Sequence, residues 1–203
     1  MKIICVGRNY AEHANELNNP LPEQPVIFMK PDSAVLLKKR PFYIPDWTDN
    51  VHYEMEVVIK INRIGKNIQR KFAYKYYEEL TGGIDFTARD VQSKCKEKSW
   101  PWELAKAFDG SAAIGKMISK NNLPPIQELN FELKKNSETV QIGKTDEMLF
   151  TVDQIIEFVS QYFTLKIGDL IFTGTPAGVG KVNAGDVLQG FIETKEVFNI
   201  SVK

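Results

Sequence analysis

The stretch His52-Tyr53-Glu54-Met55-Glu56-Val57-Val58-Ile59-Lys60-Ile61 decides the reading of this chain, because it alternates with the period of a β-strand. Met55, Val57, Ile59 and Ile61 take one face, and Glu54 and Glu56 take the other. Carboxylates two residues apart on a strand lie roughly 7 Å apart at the backbone and point the same way, so both reach one ion. A second stretch, Gly82-Gly83-Ile84-Asp85-Phe86-Thr87-Ala88-Arg89-Asp90, starts apolar and presents Asp85 just before a helix-compatible run. Strand ends of this kind commonly carry functional groups. Three carboxylates make a hard oxygen site, suited to Mg²⁺ or Mn²⁺ and poorly suited to zinc. For an isolated Glu-x-Glu the plainer reading is a solvated strand face, so the weight rests on the residues around it.

Working outward, the N-terminal run Met1-Lys2-Ile3-Ile4-Cys5-Val6-Gly7 reads as a first strand and is too short for a signal peptide or membrane span. Residues 10–17 lack Gly and Pro and allow about two helical turns. The run from Asn18 to Pro25, rich in proline and polar residues, is a loop, and Val26-Ile27-Phe28-Met29 a short strand. Residues 70–80 carry aromatics at helical spacing and are expected to be helical, as is the polar run 88–98, which Trp100-Pro101-Trp102 interrupts. Phe131-Glu132-Leu133 and Val140-Gln141-Ile142 flank Asn136-Ser137-Glu138 as a hairpin. Thr151-x-x-Gln154 is a capping box ahead of a helix whose Val152, Ile155, Ile156, Val159 and Phe163 form a core stripe. Short strands and Gly turns over 169–173, 186–192 and 196–202 complete a β-rich α+β pattern.

A chain of 203 residues buries one substantial core and is read as a single domain, 1–203. Lys+Arg and Asp+Glu are equal at 26 each, which gives no electrostatic case for nucleic acid or an anionic membrane as partner. The two cysteines, Cys5 and Cys95, have neither metal-type spacing nor a disulfide framework, so a reduced, cytoplasmic setting is expected.

Three further groups carry chemistry. Val6-Gly7-Arg8-Asn9-Tyr10-Ala11-Glu12-His13-Ala14-Asn15-Glu16 runs from a strand through a Gly turn into a helix, where His13 and Glu16 share a face. An imidazole paired with a carboxylate suits a general base acting on water, although spacing alone equally describes a surface ion pair. Thr173-Gly174-Thr175-Pro176-Ala177-Gly178-Val179-Gly180 ends an apolar strand, and its amides and hydroxyls suit an anionic oxygen; a plain turn is the alternative. Lys106 lies in apolar and aromatic surroundings, placed either to offset negative charge on a substrate or to snorkel outward.

In order and wording these motifs resemble the fumarylacetoacetate hydrolase family, in its short, single-domain acylpyruvate hydrolase/oxaloacetate decarboxylase branch. The resemblance covers nearly the whole chain, through Val6-Gly7-Arg8-Asn9-Tyr10, His13-x-x-Glu16, Phe28-Met29-Lys30-Pro31, Glu54-x-Glu56, Asp85 to Gln92, Ala105-Lys106 and Thr173-Gly174-Thr175-Pro176. It implies a mixed β-roll like that family's C-terminal domain, a homodimer, and one Mg²⁺ or Mn²⁺ on Glu54, Glu56 and Asp85. It implies further that His13 and Glu16 activate water, on a segment that orders as a lid, and that Lys106 and Gln92 face substrate. Thr175 is then expected to contact the substrate carboxylate, Gly174 to belong to the substrate-binding set and Arg8 to help hold the substrate, with Arg89 structural. The activity implied is hydrolysis of a carbon–carbon bond in a 2,4-dioxo acid of acylpyruvate or fumarylpyruvate type, through an enolate held on the metal. Oxaloacetate decarboxylation uses the same electron sink. The alternative is an isomerase of an unsaturated 2-hydroxy diacid of the 2-hydroxyhepta-2,4-diene-1,7-dioate type.

Overall fold

Antiparallel pairing of the Glu54/Glu56 stretch organises the structure around it. In the computed structural model, which describes residues 1–17 and 19–203, Met55–Ile61 is a central strand of a seven-stranded sheet. It pairs antiparallel with Tyr77–Asp85 on one side and with Leu170–Phe172 on the other. Ile3–Gly7 adds in parallel to Leu170–Phe172, and Val26–Lys30 forms the edge beyond it. Ala112–Ile114 and Ile118–Ser119 close the opposite side on Tyr77–Asp85. A four-stranded antiparallel sheet holds Asn130–Lys135, Glu138–Lys144, Val187–Ile192 and Lys195–Ser201, and a three-stranded one holds Val51–Tyr53, Thr87–Ala88 and Gly180–Lys181. The result is the strand-dominated α+β architecture expected from the sequence.

Both faces of Met55–Ile61 are covered. Met55, Val57, Ile59 and Ile61 enter the main core with Ile155, Ile156, Val159 and Leu188. The opposite face, two residues on from Glu56, contributes Val58 to a smaller core with Ile3, Cys5, Leu170 and Phe172. Glu56 therefore stands at the rim of apolar packing, where an unpaired charge is costly. The strand also breaks where sequence alternation runs on: Val51–Tyr53 belongs to the three-stranded sheet, and Glu54 is the irregular residue between the two.

The hairpin and capping-box readings agree with the structure. Asn136 and Ser137 both have positive φ, 53° and 70°, the pair of left-handed residues that a two-residue hairpin turn requires. Gln154 Oε1 accepts from the Thr151 amide at 2.9 Å at the start of the helix Val152–Tyr162, which buries Val152, Ile155, Ile156 and Val159. Phe163 lies past its last turn, 37% exposed. The helix expected over 70–80 is absent. Arg70–Lys75 is a 3₁₀ segment and Tyr77–Asp85 is a strand, because pairing with Met55–Ile61 satisfies its backbone and buries Tyr77 and Leu80. The aromatics that suggested a helical stripe, Phe72 and Tyr74, are exposed. Residues 10–17 form a shorter helix, Ala11–Glu16. In the proline-rich loop residues 19–25 are irregular apart from a bend, while Asn18 lies outside the described residues. No helix among the described residues is long and apolar enough to cross a membrane.

Asp169 secures the parallel pairing of Ile3–Gly7 with Leu170–Phe172. Its carboxylate accepts from the Lys2 amide and the Lys166 amide, each at 2.8 Å, and pairs with Lys2 Nζ at 2.5 Å. Burial pushes this carboxyl up, but the Lys2 and Lys166 donors outweigh it and hold it below its ordinary range. A depressed folded-state pKa contributes stability above the unfolded value and loses it as pH falls through the folded one. Asp169→Asn is expected to cost about 1.5–3 kcal/mol at neutral pH. The gap from wild type should close in urea titrations repeated toward strongly acid pH; a gap independent of pH would refute the charge argument.

Candidate active site

Strand register brings the three carboxylates together. Glu56 pairs with Gly83 and Met55 with Ile84, so Asp85, last residue of its strand, arrives beside Glu54, whose carbonyl accepts from the Asp85 amide at 2.9 Å. One carboxylate oxygen from each of Glu54, Glu56 and Asp85 lies within 4.8 Å of the others, and the residues are 5%, 2% and 0% exposed.

Two buried lysines and a half-buried arginine surround this cluster. Lys106, ending the short helix Glu103–Lys106, donates from Nζ to Glu54 Oε2 and Asp85 Oδ2, each at 2.8 Å, and to Thr87 Oγ1 at 2.6 Å. Arg89 pairs with Glu54 Oε1 at 2.5 Å and donates to Gln92 Oε1 at 2.7 Å. Lys30, a buried lysine at the end of the edge strand, stands 2.7 Å from Asp85 Oδ1 and donates to the Lys106 carbonyl. Burial pushes the Glu54 carboxyl up, but Lys106 and Arg89 outweigh it and hold it well below the usual range. Burial would lower the Lys106 ammonium, yet Asp85 and Glu54 raise it above its ordinary value.

Glu56 differs. It pairs with no cation among the described residues, and its Oε2 accepts from the Gly174 amide at 2.6 Å. Burial, then Asp85 and Glu54, push its carboxyl well up. Asp85 Oδ1 is also buried without an aligned hydrogen bond, its Lys30 contact being a close ion pair off the bonding direction. An all-oxygen cluster with one uncompensated carboxylate and one orphaned lone pair fits a hard divalent cation. Glu54, Glu56 and Asp85 are the residues that would hold it.

His13 is buried at 6% exposure and lines the same cavity. Its Nδ1 lies 3.1 Å from Glu16 Oε2, and a carboxylate only accepts, so the neutral ring keeps its free lone pair on Nε2. Glu16 Oε1 in turn accepts from the Gly178 amide at 3.0 Å, docking the Ala11–Glu16 helix on the Thr173–Gly180 turn. The lid-like segment of the sequence reading is thus a folded helix with a specific anchor. Gly174 has φ +100°, and a Cβ there would sit 2.7 Å from Asn9 Cβ, so only glycine turns its amide onto Glu56. Gly174 therefore reaches the site through that carboxylate. Thr175 lines the cavity; its Oγ1 accepts from Gln141 Nε2 at 2.9 Å, leaving the hydroxyl proton to donate. Gln92 commits its oxygen to Arg89 and keeps its amide nitrogen as a donor, and Arg8, with φ 59°, also lines the cavity.

Two residues had no role in the sequence reading. Lys30 stood inside a quoted motif, and the available signal was a lysine directly after the apolar run Val26-Ile27-Phe28-Met29. Gln141 had none: a register shift between Thr139 and Gln141 aims it inward, where it bonds the Met55 amide, Thr175 and the Pro176 carbonyl. A wider groove of about 650 Å³, lined by residues 36–41, 113–117 and 197–201, includes none of the three carboxylates.

Comparisons with known proteins agree with this geometry. The family described as fumarylacetoacetate (FAA) hydrolase C-terminal matches residues 2–199. The mitochondrial oxaloacetate tautomerase FAHD1 of Bos taurus is 40% identical over 190 residues, covering 94% of this chain and 86% of that protein. The fumarylpyruvate hydrolase of Pseudomonas aeruginosa, solved with Mn²⁺ and pyruvate, superimposes with TM-score 0.92 at 35% identity, over 100% of this chain and 89% of that one. The 5-carboxymethyl-2-hydroxymuconate delta-isomerase of Mycobacterium smegmatis does so with TM-score 0.88 at 33% identity, over 99% and 78%. With the match running almost end to end and the acidic cluster standing on the same strands that build the fold, the chain belongs to the fumarylacetoacetate hydrolase family.

Proposed function

We propose that the protein is a divalent-metal-dependent hydrolase that cleaves a carbon–carbon bond in a 2,4-dioxo acid of acylpyruvate or fumarylpyruvate type. The observation that carries this is the His13–Glu16 pair opening onto the same cavity as Glu54, Glu56 and Asp85. A Mg²⁺ or Mn²⁺ on those carboxylates supplies Lewis acidity toward the carboxylate and 2-oxo oxygens of the substrate. The remaining work falls to the chain itself. His13 Nε2 takes a proton from water as it attacks the distal carbonyl, and Glu16 holds the ring and stabilises the imidazolium. The hydrated carbonyl carbon then breaks its bond to C3, releasing a carboxylic acid and the enolate of a 2-oxo acid; the Lys106 ammonium balances the enolate charge, and the proton held on His13 returns to C3 to give the keto acid. Gln92 and the Thr175 hydroxyl donate to the substrate carboxylate, Gly174 fixes Glu56, and Arg8 adds positive charge at the entrance.

A second reading is enol–keto conversion or decarboxylation of oxaloacetate, which uses the same enolate but needs no attacking water. The identity to oxaloacetate tautomerases favours it. Isomerisation of an unsaturated 2-hydroxy diacid is the third chemistry open to this electron sink. The proposal treats residues 1–203 as one catalytic domain acting as a homodimer without nucleic-acid or membrane partners; sedimentation at micromolar protein tests the dimer.

Purified protein with Mg²⁺ is expected to hydrolyse 2,4-dioxo acids of the acylpyruvate or fumarylpyruvate type, with slower turnover of oxaloacetate, which offers no distal carbonyl for water to attack. Activity confined to oxaloacetate or the hydroxy diacid would replace the hydrolase reading with the second or third. Oxalate, whose two adjacent carboxylate oxygens resemble those of a pyruvate enolate, is expected to inhibit competitively. Its affinity should collapse after chelator treatment, since the cation is what holds a dianion among three carboxylates. Equal affinity with and without Mg²⁺ would show that the enolate reading is wrong.

A further inference from the structure

Positive charge at the outer part of the cavity has no ion-pair partner among the described residues. At the base, Lys30, Arg89 and Lys106 are each paired with Glu54 or Asp85. Lys96 and Arg8 line the same cavity, and neither forms an ion pair among the described residues. Lys96 Nζ lies 3.3 Å from Asn19 Oδ1 and over the face of Trp102, 5.8 Å from the ring centre. Burial first, then Arg8 and Arg89, lower this ammonium below its ordinary value, with Glu54 opposing them.

The helix Arg89–Glu97 sets the spacing. Arg89, Gln92 and Lys96 stand at i, i+3 and i+7, on one helical face. Arg89 touches the Glu54 carboxylate, and Lys96 starts about 10 Å further along the axis. Between them Phe28 and Trp102, with ring centres 6.0 Å apart, give the cavity an apolar wall. The lining thus runs from a polar base past an apolar wall to two cations, around a space of about 30 Å³ that a diacid must widen on entry.

We infer that Lys96, seated on Trp102 and assisted by Arg8, binds the second carboxylate of a diacid substrate, the one remote from Glu54, Glu56 and Asp85. The inference rests on the oxo-acid reading above and adds its specificity: diacids are selected over acids that end in a neutral tail. An incoming carboxylate gains a charge-assisted hydrogen bond from an ammonium that now holds only an amide oxygen and a ring face. A methyl-ended tail gains nothing there and leaves two cations facing each other.

Calorimetry on the Mg²⁺-loaded protein tests this independently of turnover. The probes are oxalate, which reaches only the base, and two pairs: 2-oxoglutarate against 2-oxopentanoate, and 2-oxoadipate against 2-oxohexanoate. In wild type, at least one diacid should bind about tenfold or more tighter than its methyl-ended partner. Lys96→Met should weaken that diacid by about 10- to 100-fold, with the monoacid and oxalate within about twofold. Lys96→Arg should restore most of the preference. A diacid-to-monoacid ratio untouched by Lys96→Met overturns the inference, as does equal weakening of every probe, which would mark Lys96 as a structural prop. Wild type that binds no oxalate in Mg²⁺ refutes the underlying oxo-acid reading and the inference with it.

Discussion

Glu56→Gln is expected to abolish metal-dependent activity while leaving the fold as stable as before, or more so. Turnover of the oxo-acid substrate in Mg²⁺ should fall by about 10³-fold or more, because Lewis-acid stabilisation is worth several kcal/mol and each 1.4 kcal/mol is a factor of ten. The fold survives for a reason specific to this residue. Glu56 has no cation partner among the described residues, and its one recorded hydrogen bond, from the Gly174 amide, goes to an oxygen that glutamine retains. Removing its charge also relieves repulsion from Asp85 and Glu54, which together with burial pushes the carboxyl up. The melting temperature without metal should therefore hold or rise, by about 2–4 °C per kcal/mol in a domain of this size. The rise that Mg²⁺ produces in wild type should vanish in the variant. Asp85→Asn makes the contrast: it strips charge from a carboxylate paired with Lys30 and Lys106, and loss of one partner of a buried pair costs about 3–5 kcal/mol. If Glu56→Gln melts much earlier without metal, or keeps the full Mg²⁺ response, the carboxylate cluster is structural and the metal assignment is wrong.

His13→Ala is expected to lower acylpyruvate hydrolysis by about 10² to 10⁴-fold, the usual contribution of a positioned general base. The Mg²⁺-induced rise in melting temperature should persist, since His13 is outside the acidic cluster. Any decarboxylation of oxaloacetate should fall less, having no water to deprotonate. Glu16→Gln should act through the ring it orients and through the helix it docks on Gly178, so it should also loosen the Ala11–Glu16 segment. Hydrogen exchange at that helix separates the two effects. Unchanged hydrolysis in His13→Ala would exclude the water-activating role.

Much of the geometry was legible because it is local. Alternate positions of an extended chain share a face, which brings Glu54 toward Glu56 even though the strand proper starts at Met55, and His13 and Glu16 share a helix face by helical spacing. The capping box at Thr151 and the turn at Asn136-Ser137 are likewise written in short spacings that backbone geometry converts directly into structure. Together with the motif wording, these settled the family and the α+β class from residues alone.

Where partners are distant in sequence, periodicity was silent or misleading. Residues 70–80 carry a helix-like aromatic spacing, but hydrogen bonding to Met55–Ile61 made 77–85 a strand, and that strand is what delivers Asp85 to Glu54. Gln141 reaches Met55 and Thr175 only through a register shift, and Lys30 meets Asp85 across 54 intervening positions. The sequence by itself determined which residues can act and on which local faces they stand, because strand and helix periods are properties of the backbone. Only the tertiary structure decided which charges are matched: Glu54 and Asp85 against Arg89, Lys30 and Lys106, with Glu56 and Lys96 left over, since that balance depends on burial and on groups brought together from separate strands.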